Sequence, residues 1–293
     1  MEFKLKGVMP AIITPVTKEG KLNVNELERL IEHLIAEGAD GFYVGGATGE
    51  GLVIEKEMHK QLTTEAVRIV AKRVPVIVHV ARIVYSEMIE LAKHAQSVGA
   101  DAISAVPPFF YAYNEQAIFD YYNGLCASTA LPTIIYNNPN AGVTFSVSLL
   151  KRLFAIENLT GIKWTNADFY PIMQILPDYP NIEVINGPDQ LLLCGLSAGC
   201  HSAIGTTYNF QLPTIKKIYD AFMRGDMETA RLEQQKANKV IAVAQKKDTL
   251  IATKNILSFQ GFDVAYPLFP KRDFTAEEKE QLKADLREAG FDI

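Results

Sequence analysis

The chain has 293 residues, of which 48% are hydrophobic and 22% are charged, and its formal net charge is -5 at pH 7. This composition is typical of a soluble globular protein that buries a large core. The small negative charge excludes the basic surface that binding to nucleic acid or to an anionic membrane requires. We therefore expect neither nucleic acid nor a membrane as a partner.

The chain has three cysteines, Cys126, Cys194 and Cys200, and their spacing matches neither a zinc knuckle nor a redox pair. We expect them to be buried free thiols in a reducing compartment, with no metal site. Residues 1–7 are charged and lack the apolar core of a secretion signal, and no later segment has the unbroken length of a membrane span. These features predict a cytoplasmic protein.

Short apolar runs alternate with amphipathic segments from residue 7 to about residue 225. Each apolar run has the length of a strand, and the segments between them have the 3.6-residue period of a helix. We predict strands at 7–13, 41–44, 74–80, 102–106, 132–136, 161–163, 182–185 and 202–204. Predicted helices cover 24–37, a segment ending at 70, 86–98, 146–153, 170–176, 190–196 and 213–223.

The predicted strands are mostly unbroken apolar runs, as in a parallel sheet with both faces covered. Eight strand–helix units in sequence predict an α/β fold, a (β/α)₈ TIM barrel formed by residues 1–225. A doubly wound open sheet is the alternative. Residues 226–293 contain helical patterns at 227–245, 249–260 and 276–289, the last with Thr275 as its cap. We expect this C-terminal helical extension to pack on the barrel as an appendage.

In such a barrel the carboxyl ends of the strands carry catalytic residues, and unusual side chains do occur at these positions. Lys163 ends the sixth strand. Burial disfavours the charged form of a lysine amine, and a neutral amine attacks carbonyl carbon to give a Schiff base. Considered alone, a strand-end lysine is more simply explained as a solvated strand end.

Other strand ends supply complementary groups. The loop at 45–50 reads Gly-Gly-Ala-Thr-Gly-Glu, and its glycines and free N–H groups suit an anion, although it matches neither a P-loop nor a dinucleotide fingerprint. Tyr136 ends the fifth strand, and polar residues follow the seventh and eighth. Anion binding, proton transfer and an amine nucleophile together predict Schiff-base chemistry on a 2-keto acid.

The chain also resembles a known family through the segments 45–50, 104–109, 136–139, 161–163 and 205–209. It is similar over nearly its whole length to the pyruvate-dependent class I aldolases, which include N-acetylneuraminate lyase and dihydrodipicolinate synthase. The resemblance implies a carbon–carbon lyase in which Lys163 forms the imine, Tyr136 transfers protons, and the loop at Ala47 and Thr48 binds the pyruvyl carboxylate. It also implies no metal or diffusible cofactor, because the protonated imine is the electron sink.

Positions that resemble the lyase branch favour a sugar-acid substrate. Synthases typically carry an arginine five residues after the catalytic tyrosine, where this chain has Ala141. The substrate-binding positions implied by the lyases are Thr165, Gly187, Asp189, Gln190 and Thr206, and lyases often have Glu in place of Gln190. The best interpretation is cleavage of a 2-keto-3-deoxy sugar acid, with N-acetylneuraminate giving pyruvate and N-acetylmannosamine.

Several positions depart from the family pattern. Ala47 and Phe110 stand where relatives usually have hydroxyl residues that form a relay with the catalytic tyrosine. Relatives are commonly homotetramers in which a neighbouring subunit supplies an aromatic residue, and Tyr111 or Tyr113 is a candidate here. Arg82 predicts either a surface ion pair or a second anion contact. A dihydrodipicolinate synthase and a catalytically weakened keto-acid-binding paralogue stay open as alternatives.

Overall fold

The computed structural model of the chain describes residues 4–293, so the first three residues of the charged N-terminal segment lie outside it. Eight strands form one parallel sheet, in which each strand lies beside its neighbour in sequence and β1 also pairs with β8. The strands are β1 (Gly7–Pro10), β2 (Phe42–Val44), β3 (Val76–His79), β4 (Ala102–Ala105), β5 (Thr133–Asn137), β6 (Leu159–Trp164), β7 (Glu183–Asn186) and β8 (Ser202–Gly205).

The sheet closes between β1 and β2. Ala11 forms a parallel bridge with Tyr43 directly after β1, and the Ile12 N–H donates to the Tyr43 carbonyl at 3.0 Å. The predicted barrel is therefore confirmed, and the alternative of an open doubly wound sheet is wrong. Nearly every strand residue is buried, because side chains fill the barrel interior on one face and helices cover the other.

Helices follow the strands near the predicted positions, except that the helix at Glu115–Ala127 was not predicted. The first helix illustrates why its position was predictable from the sequence. Asn23 caps it by accepting from the Glu26 N–H, and the buried face of the helix consists of Leu27, Leu30, Ile31 and Leu34. The helices of the barrel are α1 (Val24–Ala36), α2 (Lys56–Val70), α3 (Tyr85–Val98), α4 (Glu115–Ala127), α5 (Val147–Leu153), α6 (Tyr170–Ile175), α7 (Leu192–Ser197) and α8 (Tyr208–Met223).

The helix α8 begins earlier than the sequence pattern predicted. The pattern placed its start at Pro213, but helical backbone already begins at Tyr208 and is interrupted at Gln211, which has φ -132° and ψ 29°. Pro213 follows this kink, so its missing N–H lies in the first turn of the straight part, where a helix does not need it.

Three further helices follow: α9 (Met227–Gln245), α10 (Thr249–Phe259) and α11 (Ala276–Glu288). The prediction that Thr275 caps the last one is confirmed, because its side chain and that of Glu278 form a capping box. Apolar residues of these helices belong to the same hydrophobic core as the barrel strands. The division into units at 1–225 and 226–293 stays a prediction.

Two further sequence expectations concern membranes and cysteines. Within residues 4–293, every helix is too short or too polar to cross a membrane. The cysteines in that range are free thiols, and Cys126 and Cys200 are buried as predicted. The prediction for Cys194 is wrong, because this residue lies on the exposed side of α7, whose buried side consists of Leu192, Gly195 and Leu196.

Candidate active site

Lys163 lies on β6 and is only 5% exposed. Its backbone pairs in register with Tyr136 on β5, so the two side chains occupy neighbouring positions at the same end of the barrel. The Lys163 Nζ atom lies 3.9 Å from the centroid of the Tyr136 ring. It also donates a long hydrogen bond of 3.4 Å to Thr165 Oγ1. The structure thus brings the two predicted catalytic residues together, and the solvated-strand-end interpretation of Lys163 is wrong.

Tyr136 is held from several sides. Its ring makes edge-to-face contacts with Tyr43 and His79, each at a centroid distance of 5.9 Å. Its hydroxyl oxygen accepts from Asn138 Nδ2 at 3.2 Å. Aromatic packing of this kind fixes the ring plane, so the hydroxyl projects toward Asn138 at the carboxyl end of β5.

The histidine beneath Tyr136 was not identified from the sequence. His79 Nδ1 donates to the Gly45 carbonyl at 3.2 Å, and its Nε2 accepts from the Val106 N–H at 3.3 Å. Burial is the main cause that lowers the pKa of His79 to about 3, with His59 and Lys163 adding to it. His79 is therefore a neutral side chain that links the ends of β2, β3 and β4.

A second buried histidine supports the first. His59 Nε2 donates to the His79 carbonyl at 2.9 Å, and burial lowers the pKa of His59 to about 4. A Cβ atom at Gly45 would lie 2.5 Å from His59 Nε2, and Gly45 has φ +69°. Only glycine fits this position without strain. The histidine pair and the glycine together shape the beginning of the predicted anion loop.

The loop brings Thr48 to the site but turns Ala47 away from its polar part. Thr48 is buried, and its Oγ1 lies 2.7 Å from Thr206 Oγ1, which joins the loops after β2 and β8. Ala47 is exposed and borders an apolar cavity of about 460 Å³ that Leu52, Leu268 and other residues line. Two turn bonds of the loop are donated by the N–H groups of Glu50 and Gly51.

The buried residues Tyr43, His79, Tyr136 and Lys163 form what we call the floor of the site. A polar cavity of about 480 Å³ adjoins this floor through Asn138 and Thr165, which bond to Tyr136 and Lys163, and it contains most of the predicted substrate-binding residues. Those present are Thr165, Gly187, Asp189, Gln190 and Thr206. The sequence did not identify the contribution of the C-terminal helices, which supply Gln245 and Thr249. The other lining residues are Asn138, Pro139, Asn140, Asn166, Ala167, Pro188, Leu191 and Thr207.

Close packing shapes one wall of the cavity. A Cβ atom at Gly187 would lie 2.0 Å from Thr165 Oγ1, so any side chain at Gly187 would displace Thr165. Gln190 is exposed in the short turn before α7. Its carbonyl accepts from Asn238 of α9 at 3.2 Å, which ties the turn to the C-terminal helices.

Asp189 is buried and already has partners within the chain. Its Oδ2 atom accepts from both the N–H and the hydroxyl of Thr207, each at 2.7 Å. Burial raises the pKa of Asp189, and the two Thr207 bonds and the charge of Lys163 oppose this rise. Asp189 therefore connects the ends of β7 and β8 in addition to facing the cavity.

Arg82 makes the predicted ion pair, but it does not lie fully on the surface. It does pair with Glu87, at 3.4 Å, but its side chain is only 14% exposed. Its Nη1 atom donates to the carbonyls of Gly51 and Ile54 at 3.1 and 2.9 Å. Arg82 therefore holds the segment that follows the glycine-rich loop, and the second anion contact stays a prediction.

The candidate replacements for the missing relay hydroxyls lie outside the site. Phe110 is 86% exposed and has φ +79°, which is unusual for a residue with a side chain. The Tyr111 ring makes edge-to-face contacts with the rings of Phe110 and Tyr113, and all three form an exposed aromatic cluster. Within one copy of the chain, the ring neighbours of Tyr136 are instead Tyr43 and His79.

Known proteins of similar sequence share this fold. A sequence model of the dihydrodipicolinate synthetase family matches residues 4–289. An N-acetylneuraminate lyase of Rhizobium meliloti (strain 1021) is 33% identical over 288 residues, which cover 98% of this chain and 95% of that protein. CdNal from Clostridium difficile, solved in complex with mannosamine, is 31% identical and superposes with a TM-score of 0.94, covering 98% of this chain and 100% of CdNal.

A dihydrodipicolinate synthase of Bacillus anthracis also superposes, with a TM-score of 0.92, 26% identity and coverage of 97% of this chain and 98% of that one. The chain is therefore a member of the dihydrodipicolinate synthetase family. It is a lyase of the class I aldolase type, as the resemblance predicted. Because lyases and synthases both match, these similarities define the family rather than the substrate.

Proposed function

We propose that the protein cleaves a 2-keto-3-deoxy sugar acid, with N-acetylneuraminate as the best candidate, to pyruvate and an aldehyde, here N-acetylmannosamine. The observation that carries this proposal is the pairing of Lys163 and Tyr136 on a buried floor that adjoins the polar cavity through Thr165 and Asn138. The floor supplies an amine and a phenol, and the cavity has the polarity to hold a hydroxylated chain.

In the proposed reaction, Lys163 Nζ attacks the keto carbon, and loss of water gives a protonated imine. The bond between C3 and C4 then breaks, its electron pair moves toward the imine nitrogen, and the C4 hydroxyl loses its proton to become the aldehyde. The resulting enamine takes a proton at C3, and water hydrolyses the imine to release pyruvate and free Lys163. The imine itself is the electron sink, so the proposed reaction requires no metal or diffusible cofactor.

Tyr136 is the proposed group that moves protons between the C4 hydroxyl, the carbinolamine and solvent. Its hydroxyl lies beside Asn138 at the cavity wall, while its ring packs against the Lys163 amine. The closeness of the phenol to the amine supports its assignment as the acid–base group. The hydroxyl relay of relatives is shortened here, because Ala47 and Phe110 contribute no oxygen.

The carboxylate of the keto acid is assigned to the glycine-rich loop. Since the turn bonds of this loop use the N–H groups of Glu50 and Gly51, we assign the N–H groups of Ala47 and Thr48 and the Thr48 hydroxyl to the substrate anion. The Thr48 hydroxyl lies beside Thr206, so one anion could contact both loops. Oriented backbone amides of this kind bind carboxylates without a cation.

The polar cavity supports a sugar-acid tail over the aspartate semialdehyde of a synthase. Its lining residues, all within the described range, include no Lys or Arg. An aldehyde that carries a second carboxylate would leave that charge without a partner there, which is costly. Thr165, Asp189, Gln190 and Thr206 instead provide hydroxyl, carboxylate and amide groups that suit a polyhydroxy chain.

The exposed aromatic cluster of Phe110, Tyr111 and Tyr113 supports the proposal of a homotetramer. Three neighbouring exposed aromatic rings form an apolar surface of the kind that subunit interfaces cover. A second copy of the chain is the proposed occupant, and light scattering after size exclusion should give about four times the mass of one chain. Tyr111→Ser with Tyr113→Ser should lower this mass.

The proposed reaction is tested in two parts. Borohydride reduction in the presence of pyruvate, followed by peptide mass mapping, should give a stable adduct on Lys163. A panel of keto-sugar acids should then release pyruvate, with N-acetylneuraminate among the substrates. Absence of the Lys163 adduct would reject every imine-based function, including the synthase alternative.

The remaining outcomes distinguish the alternatives. An adduct combined with condensation of pyruvate and aspartate semialdehyde would establish the synthase function instead. An adduct without turnover of any sugar acid or semialdehyde would identify a keto-acid-binding paralogue. The missing hydroxyls at Ala47 and Phe110 are the specific observation that keeps this last possibility worth testing.

A further inference from the structure

A buried ion pair connects the glycine-rich loop to the C-terminal helices. Lys254 on α10 is 0% exposed, and its Nζ atom lies 2.5 Å from Glu50 Oε2 at the end of the loop. The second oxygen of Glu50 accepts from the Leu268 N–H at 3.0 Å. Lys254 also donates to the Tyr266 carbonyl at 2.8 Å. The pair joins segments that are 204 residues apart in sequence.

Stability alone is a poor explanation for such a pair. Removing two charges from water has a cost that their attraction often fails to offset, and apolar residues of similar volume commonly replace buried pairs without loss. The backbone of Glu50 is also unusual, since its φ is +55° although it is not a glycine. Strained residues of this kind persist where surrounding contacts hold them, and they are enriched at functional sites.

The position of Glu50 indicates what the pair holds. Glu50 lies two residues after Thr48, and its N–H donates to the Ala47 carbonyl at 3.1 Å. The next residue closes the same turn, because the Gly51 N–H donates to the Gly46 carbonyl at 3.1 Å. Fixing the Glu50 side chain therefore fixes the turn that presents the Ala47 and Thr48 N–H groups.

We propose that Glu50 and Lys254 are positioning residues through which the C-terminal helical region sets the geometry of the carboxylate-binding loop. This inference rests on the proposed function, in which that loop binds the carboxylate of the keto acid. Neither side chain touches substrate in this proposal. They act through the backbone of Ala47 and Thr48, so their loss should weaken binding of the carboxylate more than it slows the chemical step.

The chain offers a control ion pair at the opposite end of the barrel, with side chains 23% and 33% exposed. Asp40 accepts from Lys216 Nζ at 3.0 Å and from the Val8 N–H at 2.9 Å through the same oxygen. Like Glu50, it thus binds a distant lysine and a backbone N–H. Asp40 precedes β2, whereas the glycine-rich loop follows it, so the control pair lies away from the candidate site.

The test compares Glu50→Gln and Lys254→Met with Asp40→Asn and Lys216→Met. For each protein, the fraction of Lys163 trapped by borohydride is measured against pyruvate concentration. The kcat for cleavage of N-acetylneuraminate and the unfolding temperature are measured as well. We expect the first two variants to raise the half-saturating pyruvate concentration by about tenfold while kcat changes by less than about threefold. The control variants should leave the half-saturating concentration unchanged, whatever they do to the unfolding temperature.

If the single variants do not fold, the double variant Glu50→Leu with Lys254→Leu replaces the pair by apolar groups and should restore folding. It should still show the raised half-saturating concentration. A folded variant that lacks the ion pair but binds pyruvate like the parent protein would overturn the inference. Absence of any adduct in the parent protein would instead reject the proposed function, and the inference with it.

Discussion

The floor of the site and the cavity that adjoins it are built in opposite ways. The floor consists of Tyr43, His79, Tyr136 and Lys163, all buried on barrel strands and in contact through their rings or the lysine amine. The cavity is lined by loop residues and by the C-terminal helices, and several of these, such as Gln190, are exposed. Rigid strands hold the proposed chemistry, while loops hold the proposed specificity.

This difference predicts how substitutions should act. A change in the floor alters groups that every keto acid would meet, so it should affect all substrates alike. A change in the cavity alters contacts with the variable tail, so it should affect one substrate relative to another. The predictions below test this division, and they run from the floor to the cavity.

The largest effect should come from Lys163→Met. This variant keeps an unbranched side chain over the Tyr136 ring but removes the amine, and we expect kcat/KM to fall by more than about 10⁴-fold on every substrate. Lys163→Arg is the control for charge, and it should be equally inactive because a guanidinium forms no imine. A borohydride adduct at another lysine in either variant would show that the nucleophile was assigned to the wrong residue.

Tyr136→Phe should slow turnover without preventing imine formation. The ring contacts with Tyr43, His79 and Lys163 are retained and only the hydroxyl is lost, so we expect kcat to fall by about 10² to 10⁴-fold. Borohydride should still trap pyruvate on Lys163.

Tyr43→Phe is the matched control for Tyr136→Phe. The Tyr43 hydroxyl already donates to Ser104 at 3.1 Å within the barrel, so this variant should lose less than about tenfold in kcat. Equal losses in the two variants would indicate that packing, rather than the Tyr136 hydroxyl, determines the rate.

The buried histidines predict a pH dependence of stability. Because the folded pKa values of His79 and His59 are lowered to about 3 and about 4, the unfolded chain binds protons more readily below its own histidine pKa of about 6.5. The contribution of the two histidines to the free energy of unfolding is complete above pH 6.5 and is lost as pH falls. At pH 5 each of these histidines should lower the free energy of unfolding by about 2 kcal/mol relative to pH 7.

His79→Asn should remove one of these contributions. Urea unfolding at pH 7 and pH 5 should show a smaller loss of stability in this variant than in the parent, although Asn keeps a donor near the Gly45 carbonyl. His201→Asn changes an exposed histidine and should retain the full loss. An identical loss in the parent and in His79→Asn would mean that His79 is not held neutral in the fold.

Two residues of the floor, Lys163 and Tyr136, were predicted from the sequence, as were five of the residues that line the cavity. Lys163 and Tyr136 end apolar runs, and a parallel barrel necessarily gathers strand ends at one face. The alternation of strands and helices also predicted the barrel, with strand boundaries that differ by a few residues. Thr275 was predicted as a helix cap because a cap is formed by neighbours in sequence, whose chemistry is visible without the fold.

Contacts between distant segments were not predictable in this way. His79 reads as an apolar-strand residue, and only the fold places its Nδ1 atom against the Gly45 carbonyl. The pairing of Glu50 with Lys254 joins positions that no local pattern relates. Gln245 and Thr249 reach the cavity from helices that the sequence presented only as an appendage. The exposed side of α7 was likewise not predicted, so Cys194 was wrongly placed in the core.

Gln190→Glu tests the cavity side of the comparison and should give the smallest effect. Gln190 is exposed, and a carboxylate at this position would be a stronger acceptor for substrate hydroxyls than an amide. We expect KM for N-acetylneuraminate to fall by about two- to fivefold, because hydrogen bonds to charged acceptors are stronger but solvent weakens them here. Half-saturation of the Lys163 adduct by pyruvate, which has no tail, should not change.

Gln235→Glu provides the same change of charge on the exposed side of α9, outside the residues that line the cavity, and should leave both quantities unaltered. If Gln190→Glu changed pyruvate trapping as much as it changed KM for the sugar acid, the two regions would not be separable. The cavity would then act on the imine itself. In that case the tail and the keto carbon would have to be bound as one unit, and specificity in this enzyme would depend on the floor as well as on the loops.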